Sequence, residues 1–306
     1  MKWESRLWIF LFIPFYFFFC KWDDVLGQKK FLASVVKVEG NAWVVSTSDT
    51  TTPIELGMGL LEGEKIILGK NAVLKVYSLN GSLKSFIGPD TVLITQKRFA
   101  GSPTKVKIFQ MILEYLRDKT RSLASVRGAV RGQEKLFYLI TPRNTNICSG
   151  PILFRWRRWK TDAAYRFSIL DSFDLNNPLF TTIVQDTILY VFPDSLSLLR
   201  GKKYYWEIKV LAPEGADPIF DRSWFRLFTY HEERNFLMES VRLKNAKGNF
   251  DFLPLLAFYD KTGAYYREFE LLEWLTALYP EEPIFQILRN SLFITMGLRE
   301  KANTNF

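Results

Sequence analysis

ASVVKVEGNAWVV (Ala33 to Val45) and ELGMGLLEGEKIILGKNAVLKVYSLNGSLKSFIGPDTVLIT (Glu55 to Thr95) are the segments on which the fold turns. Short apolar and β-branched runs follow one another, each closed by a glycine or a polar pair, and no helical period survives across them. Strands are expected over 33–39, 42–45, 64–68, 72–77, 83–87 and 92–95. Asn80-Gly81 stands between two of these runs; both residues tolerate positive φ, so a two-residue hairpin turn is expected there. Gly40, Gly57, Gly59, Gly63, Gly69 and Gly88 recur where the chain must turn, and Thr47 to Thr52 reads as a polar loop tip.

Around this stretch, 306 residues leave room for two or three domains, and 48% hydrophobic content is enough to fill their cores. The net charge of +9 is unevenly spread: from Lys97 to Lys160 there are 15 Lys/Arg against only Glu114, Asp118 and Glu134. Such a region suits an anionic wall polymer or lipid headgroups, or is simply a solvated basic face. Nucleic acid is not an expected partner. Cys20 and Cys148 are the only cysteines, too few for a disulfide framework and without Cys/His metal spacing. One histidine, His231, rules against histidine-dependent triads and multi-histidine metal sites. No phosphate-cradling glycine loop is present either. The expectation is a non-enzyme with no cofactor and no metal.

At the start, Lys2 and Arg6 precede an uninterrupted apolar run from Leu7 to Cys20. As a helix it would reach about 21 Å, short of the roughly 30 Å hydrocarbon core. Residues 1–22 therefore read as a secretory signal or a short membrane anchor, giving membrane association through the N-terminus. Cys20 stands where an acylated lipoprotein cysteine would stand, although Phe17, Phe18 and Phe19 replace the small residue expected before it.

Between Val35 and Thr91 the chain reads V-x-x-V-x-G (Val35 to Gly40), L-x-x-G (Leu56 to Gly59) and E-G-E-x-I-x-x-G (Glu62 to Gly69). A-x-L-x-V-x-x-L-N-G-S (Ala72 to Ser82) and G-P-D-T (Gly88 to Thr91) follow. This order resembles the FecR domain of bacterial regulators of ferric-citrate transport. Leu68-Gly69 and Asn80-Gly81-Ser82 stand where relatives more often have Thr-Gly and Asp-Gly-Ser. The resemblance implies a β-rich extracytoplasmic module over 31–98. The founding member relays a transporter's signal to a sigma factor through a cytoplasmic segment. Here only six residues precede the apolar run, which favours the exported members that lack that relay.

Residues 99–135 follow, with Ser102-Pro103 as a helix start and a stripe of Val106, Phe109, Leu113, Leu116 and Leu123. Lys105, Lys107, Arg117, Lys119 and Arg121 lie around the stripe, so this helix either lies on a membrane or packs on a neighbouring domain. SVRGAVRG (Ser125 to Gly132) repeats Val-Arg-Gly, and a similar segment closes the FecR region in exported relatives. Arg127 and Arg131, with Arg155, Arg157 and Arg158 further on, are the candidate contacts to an anionic partner.

Over 136–230, strands are expected at 152–156, 165–170, 181–184, 188–192, 204–211 and 224–230, an antiparallel sandwich. Leu199-x-Gly201-x-x-Tyr204-x-Trp206 resembles the corresponding stretch of fibronectin type III-like and other Ig-like domains. There the tyrosine pins a corner and the tryptophan fills the core, which would place Trp156 across from Trp206. Cys148 is expected to be an unpaired thiol.

From 231 to 306 the pattern turns helical. Gly263 and Gly297 are 34 residues apart, the tetratricopeptide period, and Leu255, Tyr259, Gly263, Tyr265, Leu272 and Pro280 match that family's spacing. Glu268 departs from it, occupying a position where the family has a small residue. The fold class is thus multidomain and mainly β with an α tail: a FecR-type module, an Ig-like sandwich and helical hairpins of tetratricopeptide type. The function implied is a non-catalytic scaffold of the cell envelope or periplasm, binding a protein through its helical tail. An envelope sensor that relays to a membrane or sigma-pathway partner, and a binder of wall polymer, stand beside it.

Overall fold

The computed structural model describes residues 31–78, 82–99, 103–126, 137–211, 219–244 and 249–298. The first part holds β1 (Phe31–Glu39), β2 (Ala42–Val45), β3 (Thr51–Pro53), β4 (Gly59–Leu61), β5 (Lys65–Leu68), β6 (Val73–Ser78), β7 (Leu83–Ile87) and β8 (Asp90–Leu93). Helices α1 (Gln96–Phe99) and α2 (Pro103–Val126) follow. The second part holds β9 (Leu139–Thr141), β10 (Thr145–Ile147), β11 (Ile152–Trp156), β12 (Ala164–Asp171), β13 (Pro178–Val184), β14 (Ile188–Val191), β15 (Lys203–Leu211) and β16 (Phe220–Leu227). The described chain then runs through α3 (Tyr230–Leu243), α4 (Leu253–Lys261), α5 (Tyr265–Leu278) and α6 (Pro283–Thr295). The protein is β-rich and multidomain with a helical tail.

The first eight strands form two antiparallel sheets, in the orders β4-β1-β6-β7 and β3-β2-β5-β8. Alternation sets their register: on β5 Ile66 and Leu68 are buried while Lys65 and Ile67 face out. β1 instead buries every residue from Leu32 to Lys37, as a strand covered on both faces must. Asn80-Gly81 lies outside the described residues, but β6 and β7 pair on either side of it, Tyr77 opposite Leu83. Gly88 is fixed by close approach. Its N–H donates to the Ala72 carbonyl at 2.8 Å, and a Cβ there would fall 2.0 Å from the Gly69 oxygen. β3 departs from expectation: Thr51 and Thr52, read as loop tip, pair with Val45 and Val44.

α2 packs against α4 and α6, as a helix seated on a neighbouring domain does. The buried side of α2 carries Phe109, Ile112, Tyr115, Leu116 and Lys119, so Lys119, expected on the polar flank, is interior. One continuous core joins Phe109, Ile112, Tyr115 and Leu116 to Leu32, Val36, Leu74 and Val76 of the first sheets and to Leu256, Leu272, Phe285 and Leu288 of the tail. Each such side chain contributes about 1.5–3 kcal/mol of burial. The tail is thereby docked on α2 and the first sheets.

The second part has its own core. A five-stranded sheet, β10-β16-β15-β12-β13, and a three-stranded one, β14-β11-β9, bury side chains against each other. All pairs are antiparallel except β10 with β16, which is parallel and departs from the expected all-antiparallel arrangement. Phe154 stands edge-on to Phe167, Trp206 and Phe225 at 4.9, 4.9 and 5.7 Å between ring centroids. The phenol oxygen of Tyr204 accepts from the Leu199 N–H at 2.7 Å, and Trp156 lies 6.4 Å from Trp206. Glu207 on β15 is buried, paired with Lys209 and Arg222. The last strand ends at Leu227, not at 230, because Thr229 caps α3: its hydroxyl accepts from the Glu232 N–H while Glu232 accepts from the Thr229 N–H.

Candidate functional site

After Pro142 the chain passes through Arg143, Asn144, Thr145 and Asn146, and these four residues hold the ends of three helices. The Asn146 amide donates to the Thr262 carbonyl at 2.9 Å, and its backbone N–H to Gly263 at 2.8 Å. Arg143 Nε and Asn144 Nδ2 both donate to the Met296 carbonyl, at 2.7 and 3.2 Å. These carbonyls are among those a helix leaves without partners at its C-terminus. Gly263 and Gly297 follow α4 and α6 with φ of 65° and 78°, the left-handed closure for which glycine is suited. The N-cap of α5 is Ala264, which has no capping side chain, and Thr145 supplies one: the Tyr266 N–H donates to Thr145 Oγ1 at 3.0 Å. Arg143 also donates to the buried Asp221 carboxylate at 2.8 Å. The second sheets and the tail are locked together by this clamp.

Beside the clamp, between β16, α3 and α4, opens a cleft of about 630 Å³. Phe228, Phe236 and Phe258 give it aromatic walls, with Phe236 5.2 Å from Phe228 and 5.4 Å from Phe258 between ring centroids. His231, Asn235 and Met238 stand on the α3 side of the same cleft. Arg226 is held there by two bonds of 2.8 Å to Glu232, whose carboxyl these bonds and the Thr229 N–H keep below the usual range.

Around α3 from the cleft, Tyr230, Leu237, Met238 and Val241 recur at helical spacing and are 77%, 50%, 63% and 71% exposed. The helix is seated by its opposite side, where Phe236 and Leu243 are buried. Glu233 accepts from the Ser149 N–H and hydroxyl, both at 2.8 Å, and pairs with Arg200. Burial raises the Glu233 pKa, but the bonds to Arg200 and Ser149 outweigh it and hold the carboxyl below its ordinary value. Arg200 in turn lies over the Tyr230 ring at 4.0 Å. An apolar stripe on a rigidly seated helix, next to an aromatic cleft, can take an apolar segment of another chain; polar groups at the rim would orient it.

Deeper in, Glu268 of α5 is wholly buried. Tyr115 donates to it at 2.8 Å, and Lys119 lies 3.4 Å from it and 2.6 Å from Asp260. Desolvation raises the Glu268 pKa most, Lys119 opposes this and Asp260 adds to it, leaving the carboxyl at about 7. Spacing alone marks Glu268 as a departure from the tetratricopeptide pattern; its cause is the lysine that α2 delivers. Burial, reinforced by the Glu233 carboxylate, pushes the Cys148 thiol up to about 11, and this free cysteine is half-buried.

Cys20, Arg127 and Arg131 lie outside the described residues. Of the remaining basic candidates, Arg155 is half-buried on β11, where it pairs with Thr141 and Ile188. Arg157 lies over the Tyr138 ring at 5.7 Å, and Arg158 donates to the Thr161 carbonyl at 3.1 Å and stands 3.7 Å from Asp186. Sequence reasoning did not find the clamp or the α3 stripe. The recurrence of apolar side chains at positions 230, 237, 238 and 241 was the available signal for the stripe. Among the described residues no cluster of three or more His, Cys, Asp or Glu could hold a metal ion. No described helix is long and apolar enough to cross a membrane.

No family model matches the chain. No curated protein matches it either. Among solved structures the chain is similar to one titled "Cell surface anchoring domain", at 18% identity over 24% of this chain and 97% of that one, with a TM-score of 0.23. A likeness at that level carries no argument about function.

Proposed function

We propose that this protein is a non-catalytic interaction scaffold of the cell envelope, held on the extracytoplasmic side of the membrane, which binds a protein partner through α3 and the cleft beside it. The observation that carries the reading is the exposed stripe of Tyr230, Leu237, Met238 and Val241 on a helix whose other side is fixed by Phe236, Glu233 and the Thr229–Glu232 cap. A contiguous apolar strip on a rigid support is characteristic of association surfaces. The basic, apolar N-terminal leader supports export, and the glycine-and-strand order of the first sheets supports a FecR-type module. The Leu199–Tyr204 bond and the Trp156–Trp206 contact support an Ig-like sandwich. The Gly263 and Gly297 helix ends support tetratricopeptide-type hairpins.

Photo-crosslinking from positions 237 and 238 in cells, with positions 67 and 87 as exposed controls, tests the partner surface. A discrete adduct from α3 that is lost in a Leu237→Glu, Val241→Glu chain is the expected result. Equal labelling from all four positions overturns it. If the captured protein is a transporter or a sigma-pathway component, the chain is a relay and not a scaffold. Protease shaving of intact cells, spheroplasts and lysed cells tests the compartment: protection in the first two with digestion only after lysis would sink the envelope assignment.

A further inference from the structure

β13 is an edge of the five-stranded sheet and β14 an edge of the three-stranded one. Edge strands offer a row of unpaired N–H and C=O groups, and proteins blunt them with charges, prolines and bulges. On β13 these guards sit only at the start, where Pro178 stands and the register with Ile169 and Leu170 shifts. From Leu179 to Val184 there is no charged residue, and from Leu175 to Pro193 only Asp186, which lies in the turn near Arg158. Phe180 and Val184 point into the core, so Leu179, Thr181 and Ile183 form the opposite face of the strand. Leu179 and Ile183 are 50% and 62% exposed.

We propose that this edge is a self-association surface, on which β13 pairs antiparallel with β13 of a second copy about a two-fold axis at Thr181. Two features select a second copy as the occupant. Copies that each carry +9 repel one another over most approaches, and an uncharged edge is where that repulsion is least. The face Leu179-Thr181-Ile183 is also self-complementary. Read in either direction it is apolar, threonine, apolar, so the pairing sets Leu179 opposite Ile183 of the partner subunit and Thr181 opposite Thr181 of the partner subunit. Phe180 would meet Thr182 of the partner subunit on the inner side, extending the rim of each core. The two five-stranded sheets would become one continuous sheet, with the β13 edge of each copy covered.

Cysteine crosslinking in the full chain carrying Cys20→Ser tests the register. Residues directly opposite have Cβ atoms close enough for a disulfide, whereas diagonal neighbours do not. Mild oxidation of Thr181→Cys should give disulfide-linked dimers, mapped by mass spectrometry to position 181 on both chains, about tenfold more than Leu179→Cys gives alone. Mixing Leu179→Cys with Ile183→Cys chains should restore linkage. Sedimentation in detergent should show a dimer that Ile183→Lys converts to monomer with an unchanged circular dichroism spectrum. A monomeric parent chain, equal linkage from positions 179 and 181, or linkage of position 181 only to a different protein overturns the proposal.

Discussion

Lys119 of α2 and Glu268 of α5 lie 3.4 Å apart, with almost none of either side chain open to solvent. Asp260 of α4 completes the group, and Tyr115 donates to the same Glu268 oxygen that faces Lys119. α2 and the α4–α5 pair, distant from it in sequence, thus share one charge arrangement, which fixes how the tail seats on α2. Breaking such a pair from one side leaves a desolvated charge, at a cost of about 3–5 kcal/mol. Lys119→Met should therefore lower the unfolding free energy by roughly 3 kcal/mol. The double variant with Glu268→Leu should cost less than the two single changes added together. Denaturant titrations run as a double-mutant cycle read this directly; strict additivity would mean the two groups are not coupled.

The same carboxyl gives a pH dependence whose sign is fixed. With its pKa raised from 4.5 to about 7, Glu268 holds its proton more tightly in the folded chain than in the unfolded one. Its contribution is fully present below about pH 4.5 and is lost as pH rises through about 7, in total about 3 kcal/mol. Glu232 and Glu233 act in the opposite sense at lower pH: their pKa values are lowered, so their contribution is lost as pH falls below the ordinary carboxylate range. Stability measured from pH 5 to 8 should decline in the parent chain and be flatter in Glu268→Gln. A parallel decline in both would assign it to another group.

The clamp predicts a localised effect. Asn146→Ala removes the amide that caps Thr262, and Arg143→Ala removes donors to Met296 and Asp221. Each lost cap costs about 1–2 kcal/mol, more at Arg143 because Asp221 stays buried. Gly263→Ala should resemble Asn146→Ala, since its Cβ would stand 2.9 Å from the Asn146 amide nitrogen at a φ that disfavours a side chain. Hydrogen exchange should accelerate at the α4–α5 junction for Asn146→Ala and after α6 for Arg143→Ala. Uniform acceleration across the chain would argue against separate clamps.

How much of this was legible depends on range. Local alternation showed β2, β5 and the inner face of β15, where Tyr204, Trp206, Ile208 and Val210 are all buried. The 34-residue spacing of Gly263 and Gly297 was visible as a number, and its cause, two left-handed helix ends held by one loop, was not. β3, β4, β9 and β10 have three residues each, too few for a period to declare itself. Lys119 was expected on the polar flank because a charge is expensive to bury; it is buried, as Glu207 is, because a distant or cross-strand partner meets it. Such partners are set by tertiary packing, which spacing along the chain does not encode.

Gly88 tests the first sheets. Alanine there would place its Cβ 2.0 Å from the Gly69 carbonyl oxygen and 3.0 Å from Leu68 Cβ, and the first of these is backbone that cannot swing aside. Gly88→Ala should destabilise the first sheets by about 3 kcal/mol or abolish soluble expression, whereas Gly150→Ala, with no atom within 4 Å of its Cβ, should bear only the smaller backbone strain of its φ of 125°. Thermal unfolding of the two variants in parallel separates the close-contact argument from a generic glycine effect. Equal losses would discard the contact as the cause.

The reactivity of Cys148 reports on its burial. Its thiol is pushed up to about 11 by burial and by the Glu233 carboxylate. At pH 8 only about one molecule in a thousand would carry the thiolate, against roughly a quarter for an unperturbed thiol, and the thiolate is the nucleophile. Alkylation of Cys148 in the folded chain should therefore run on the order of a hundredfold slower than in urea, followed at peptide level so that Cys20 does not interfere. Glu233→Gln should speed it in the folded state, because the nearby negative charge is gone while burial remains. If the folded and unfolded rates match, Cys148 is neither buried nor electrostatically suppressed, and the packing of Phe228, Phe236 and Tyr259 around it would have to be redrawn.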